Sequence, residues 1–169
     1  MIGSVSARRA LLTTCLSACL FLPAPTPGVQ AAEPLAPVAF LAGGIWRGTG
    51  IFPDGTPLNV EERYFWGPTR RILHFEAFSL ASGERHLLYE GFVFFDVKRG
   101  RILQFNFKPG GEHTESEITS ASAEGYEVRG EIAWSLIRYS GANEYLWEVR
   151  VKQNGEWKSV LHATYTRVQ

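Results

Sequence analysis

His74-Phe75-Glu76 sets an imidazole and a carboxylate two residues apart, which on a β-strand puts both on one face and makes half of a metal site. A full site needs a third ligand. His86, His113 and Glu90 are the candidates, but no spacing ties them to the pair, and Leu73, Phe75 and Ala77 would claim the inner face and turn His74 and Glu76 to water. No metal centre is expected. Glu61, Glu62, Glu90, Glu112, Glu115 and Glu117 supply carboxylates for acid–base work, and strand parity brings Glu62 and Glu90 nearest to the interior or its rim. There is no Gly-x-Ser-x-Gly elbow and no phosphate-cradling loop, so catalysis by the usual devices is unsupported. A non-enzymatic role is the expectation.

Thiol chemistry is set aside by where the cysteines stand. Residues 1–31 read as an export signal: Arg8 and Arg9 at the start, an interrupted apolar run from Ala10 to Ala24, and Val29-Gln30-Ala31 as a small-residue cleavage site. The run is too short for a bilayer span. Cys15 and Cys19 both fall inside it, so a product starting near Ala32 would have no disulfide and no thiolate. The expected location is therefore periplasmic or secreted. The alternative is a lipoprotein anchored at Cys19, since Leu16-Ser17-Ala18-Cys19 looks like a lipobox; the apolar Leu20-Phe21-Leu22 that follows argues against it.

Cleavage at Ala31 leaves 138 of the 169 residues, the size of one domain, with 15 basic against 17 acidic side chains and a net charge of −2. Nucleic acid and anionic membrane surfaces demand a basic face and are not expected partners. Residues 32–43 read as a leader in which Ala36 to Ala42 forms a helical turn or two, stopped by Gly43-Gly44. From there the pattern is β throughout: aromatic and branched runs of five to ten residues, separated by short Gly, Pro, Asn or Asp punctuation.

Ten strands are expected, near Ile45–Phe52, Leu58–Trp66, Arg71–Leu80, Arg85–Phe95, Arg101–Lys108, Ser116–Ala121, Tyr126–Ala133, Leu136–Tyr139, Tyr145–Gln153 and Trp157–Val168. Asn154-Gly155 is a strong type I′ hairpin signal, and the other connections are equally short. Tight hairpins make an all-β, up-and-down antiparallel meander, and closing it into a barrel over residues 44–169 removes both exposed edges.

Alternation assigns faces. Tyr145, Trp147, Val149 and Val151 should point inward, as should Leu103, Phe105 and Phe107, with Gln104 and Asn106 outside. Leu87–Phe95 breaks the rule, with Leu87, Tyr89, Val93 and Phe95 on one face and Leu88, Phe92 and Phe94 on the other. Either the helical turn or a loop covers the second set, or a homodimer does. Gly48 and Gly50 share a side with Trp46, leaving room for a ligand or letting the strand bend. Tyr89, Phe105, Phe107, Trp147, His162 and Tyr165 are the expected lumen-lining set, suited to a small hydrophobic molecule. A structural or partner-binding envelope module is the rival reading.

Gly44-Ile45-Trp46 resembles the Gly-x-Trp opening of lipocalins and their calycin relatives, and Arg167 near the chain end resembles the arginine those folds pack across that tryptophan to close the barrel. Phe40–Gly50, Glu61-Glu62-Arg63-Tyr64, Glu90-Gly91-Phe92 and Tyr165-Thr166-Arg167 resemble exported bacterial calycin-like proteins of unassigned function, and also nitrobindins, ten-stranded barrels with ferric haem on a last-strand histidine. The nitrobindin likeness implies haem and chemistry on reactive nitrogen or oxygen species. In that family's tail pattern Val160 occupies the ligand position, so His162 would have to serve, about 7 Å further along the strand.

Overall fold

The computed structural model describes residues 33–168. The expected export segment 1–31, with its cleavage site and both cysteines, lies outside the described residues. A 3-10 turn, η1 (Ala36–Leu41), precedes ten strands: β1 (Gly44–Ile51), β2 (Pro57–Trp66), β3 (Ile72–Ser79), β4 (His86–Asp96), β5 (Arg101–Phe107), β6 (His113–Ser122), β7 (Gly125–Arg129), β8 (Ala133–Gly141), β9 (Glu144–Gln153) and β10 (Glu156–Val168). Each strand pairs antiparallel with the next and β1 pairs with β10, so the meander closes into a barrel. The closure satisfies both edges that an open sheet would expose. Among the described residues no helix is long and apolar enough to cross a membrane.

Local chemistry explains the joints. Asn154 and Gly155 both take positive φ, 52° and 86°, the requirement of a type I′ turn whose twist matches the strands it joins. Gly43, at φ 73°, redirects the chain from η1 into β1. The strand expected over Tyr126–Ala133 stops at Arg129 instead, because the stretch from Gly130 to Ile132 makes the β7–β8 turn, where Gly130 N donates to Ala133 O at 2.8 Å. β6 correspondingly starts three residues earlier than expected, at His113.

One end of the lumen is stoppered by aromatic packing. Trp46 is fully buried, and its indole Nε1 donates to Leu41 O at 3.0 Å, tying β1 back onto η1. Trp46 lies opposite Arg167 in the β1–β10 register, and the guanidinium carbon sits 4.7 Å from the indole centroid. At that distance a cation–π contact stabilises by roughly 0.5–2 kcal/mol. Arg167 Nη2 also donates to the Phe40 carbonyl, while its Nε is buried without a partner. Phe40 packs edge-on to Trp46 at 5.6 Å, and Val38 and Leu41 are buried beside it. The helical turn thus covers the Trp46 end of the barrel, not the outer aromatic face of β4.

Candidate functional site

Strand pairing carries one side-chain face around the barrel from β2 to β10. Glu62 lies opposite Trp46 on β1 and Ala77 on β3, and Ala77 lies opposite Tyr89 on β4. On the far side Tyr145 of β9 lies opposite Tyr165 of β10. All these side chains point inward, and Glu62 is buried, 6% exposed.

Inside the barrel, among the described residues, Glu62 hydrogen-bonds to phenols only. Tyr64 Oη donates to Oε2 at 2.7 Å and Tyr89 Oη to Oε1 at 3.0 Å; Tyr145 and Tyr165 approach Oε2 and Oε1 at 3.3 and 3.4 Å. A carboxylate has about four lone-pair positions, so four hydroxyls fill its acceptor capacity. Burial pushes the Glu62 carboxyl above its ordinary pKa, and the four hydroxyl bonds pull the other way without cancelling it. The four tyrosines are driven well above the ordinary phenol value, by burial first and then by the negative charge of Glu62, so they stay neutral and keep their donors.

Beside this cluster is a cavity of about 70 Å³. One water needs roughly 10–15 Å³ on this measure, so the space holds more than a single water, yet it is far below the ~300–1,000 Å³ of clefts for drug-sized ligands. Its walls are Glu62 with Tyr64, Tyr89, Tyr126, Tyr145 and Tyr165; the apolar side is Phe75, Trp147, Val128 and Ile137, and Gln104 and Ser135 add neutral polar groups. Among the described residues Glu62 is the one charged residue lining it.

The glycines make this arrangement fit. A Cβ on Gly48 would collide with the Tyr165 ring, which stacks on Tyr145 at 4.7 Å and 8°. The room beside Gly48 is therefore filled by the Tyr165 ring, and a Cβ on Gly50 would meet the His162 carbonyl oxygen and Ala163. Gly91 does the same for Phe75, whose ring would meet a Cβ there.

Of the six residues expected to line the lumen, Tyr89, Trp147 and Tyr165 do so. Phe105 and Phe107 do not. Asn106 lies opposite Gly91 and Gln104 opposite Val93, both inner positions, so β5 presents Gln104 and Asn106 inward and Leu103, Phe105 and Phe107 outward. The alternation was right in period and reversed in sign. On the outer wall Phe105 stacks on Phe92 at 5.5 Å and lies 6.0 Å from Phe94, cross-strand aromatic pairs of the kind that fix register. Phe92 and Phe94 are half-buried in this strip, and Leu88, at the β3–β4 bulge, is exposed. The bulge between Ala77 and Phe78 also moves Leu87 off the inner face that its parity with Tyr89 implied.

His162 is on the outer wall too. It is exposed, stands opposite Glu148 on β9 and lies 3.0 Å from Ser159 Oγ through its Nε2. Val160, at the position the nitrobindin likeness assigns to the ligand, falls in the bulge between Ser159 and Leu161. Among the described residues no histidine lines the luminal cavity, which is too small for a haem; His162 instead borders a groove of about 530 Å³ on the outer wall, with Thr49, Leu146, Glu148 and Thr164. Glu90 faces outward, opposite Glu76 and Phe107, and not the lumen rim. His74 lies flat against Phe65 at 5.3 Å on the outer face, with Glu76 on the same side.

Tyr64, Tyr126 and Gln104 join the site without having been expected there. The spacing Glu62-x-Tyr64 carried the signal for the first, a carboxylate and a phenol on one strand face. Compared with protein-family models and with curated proteins, the chain matches none.

Proposed function

We propose that this chain is an exported, calycin-type barrel that binds a small molecule in its lumen without transforming it. The observation that carries the reading is the cavity of about 70 Å³ whose apolar wall, Phe75 and Trp147, faces a buried carboxylate ringed by tyrosines. Apolar walls supply affinity and a few polar groups supply orientation, the common design of small-molecule sites. The hydrophobic ligand expected from the aromatic composition becomes a compact one with an apolar body and a polar end turned to Glu62. Export rests on residues 1–31, and the calycin assignment on Gly44-Ile45-Trp46, Arg167 and the closed ten-strand meander.

NMR titration with small alcohols, amides and amines tests the binding. Resonances of Tyr64, Tyr89 and Tyr165 should move together and saturate, and Val128→Phe, which fills the cavity, should abolish the response. Shifts confined to the outer groove around His162 and Thr164, or none at all, would refute it. Mass spectrometry of the mature protein should find an N-terminus near Ala32; an acylated Cys19 would replace free export with a lipid anchor.

A further inference from the structure

The lumen is chemically one-sided. Each of the four phenols that donates its proton to Glu62 is left with oxygen lone pairs and no donor, so it can only accept from anything that enters. The ring faces of Trp147 and the tyrosines carry negative quadrupole potential. When ionised, Glu62 adds a formal charge, and among the described residues no cationic side chain lines the cavity. Arg167, opposite Trp46 on β10, is engaged over that indole and on the Phe40 carbonyl. A buried carboxylate without a counter-charge is costly, and either a proton or a bound cation relieves that cost.

We propose that the cavity beside Glu62 is a site for a small organic ammonium ion, its N–H groups or methyl groups held between the carboxylate, the phenol oxygens and the aromatic walls of Trp147 and Phe75. This rests on the lumen-binding reading and adds the charge of the ligand to it. Aromatic rings combined with one carboxylate are the recognised chemistry for alkylated ammonium groups, because the rings stabilise a weakly hydrated cation while the carboxylate fixes its position. The cavity size limits the guest to a few heavy atoms. A bare alkali ion suits it less, since its strong hydration favours several hard oxygen ligands over ring faces.

Binding competes with the proton on Glu62, whose carboxyl burial raises. The groups facing it are Tyr64 on its own strand, Tyr89 of β4, Tyr145 of β9 and Tyr165 of β10, with Tyr126 of β7 across the cavity, all neutral phenols. The pH dependence of ammonium binding therefore reports Glu62: affinity rises with pH through the raised carboxyl value and falls below it.

Calorimetry and NMR on the protein with methylammonium and ethylammonium, against the neutral isosteres methanol and ethanol, test the inference. The ammonium ions should bind at least ~10-fold more tightly than their isosteres, and the preference should grow as pH rises from the ordinary glutamate range through the raised Glu62 value. Glu62→Gln should erase the preference. The pH profile of the unaltered protein and the loss of binding in Val128→Phe serve if Glu62→Gln fails to fold. Equal binding of charged and neutral probes at the lumen tyrosines overturns the ammonium inference and leaves the lumen reading standing. No lumen response to any probe overturns both.

Discussion

Glu61 and Glu62 are consecutive residues on one strand, both buried at about the same level, 5% and 6% exposed, and they are satisfied by opposite means. Glu61 points outward and meets three guanidinium groups, Arg47, Arg63 and Arg85, at 3.5, 3.1 and 3.4 Å. Those arginines are themselves half exposed, and Arg85 rests on the Phe78 ring at 3.9 Å. Glu62 points inward and, among the described residues, meets four phenols and no cation. Hydrogen bonds quench the lone pairs of a carboxylate but not its net charge. The outer site is closed electrostatically, whereas the inner one is satisfied in hydrogen bonding and still open in charge, and that difference makes the lumen a site.

The sharpest way to break the inner arrangement is Tyr165→Ala. It removes a ring that stacks on Tyr145, fills the space over Gly48 and bonds Glu62, and by analogy with buried aromatic truncations it should cost about 3–5 kcal/mol in urea unfolding. Gly48→Ala attacks the same contact from the other side, because the new methyl meets the Tyr165 ring. Overpacking of this kind costs about 1–3 kcal/mol, and the lumen tyrosine resonances should shift with it.

Glu62→Gln leaves the shape and takes away the charge. A carboxyl whose pKa is raised on folding binds its proton more tightly in the native state, so native stability falls as pH climbs from the unfolded-state value through the folded one, then levels off. That slope should vanish in the variant, which above the folded-state carboxyl value should be at least as stable as the parent; an unchanged pH profile would contradict the buried charge. Glu61→Gln should have the smallest effect, about 1 kcal/mol or less, and it should shrink as salt screens the exposed arginines.

How much of this was legible beforehand follows from which forces act locally. The ten strands, the meander and the Trp46–Arg167 meeting were readable, because turn chemistry and the period of alternation are properties of short segments. The sign of the alternation was not readable in β5, where Phe105 and Phe107 look like core and Gln104 like surface. Outer aromatic pairing with Phe92 and Phe94 outweighed it, and a partly polar lumen accepted Gln104. Bulges also escape a period-2 count: one displaced Leu87, and another took up Val160 just before His162. The Glu62 cluster draws its phenols from β2, β4, β9 and β10, so only closure of the barrel assembles it.

Carbon-detected NMR of the Glu62 side-chain carboxyl across pH, with and without saturating methylammonium, tests the uncompensated inner charge most directly. Glu62 should titrate above the ordinary glutamate value of about 4.3, and methylammonium should lower its midpoint by stabilising the carboxylate. A midpoint at the ordinary value that methylammonium leaves unmoved would contradict the account.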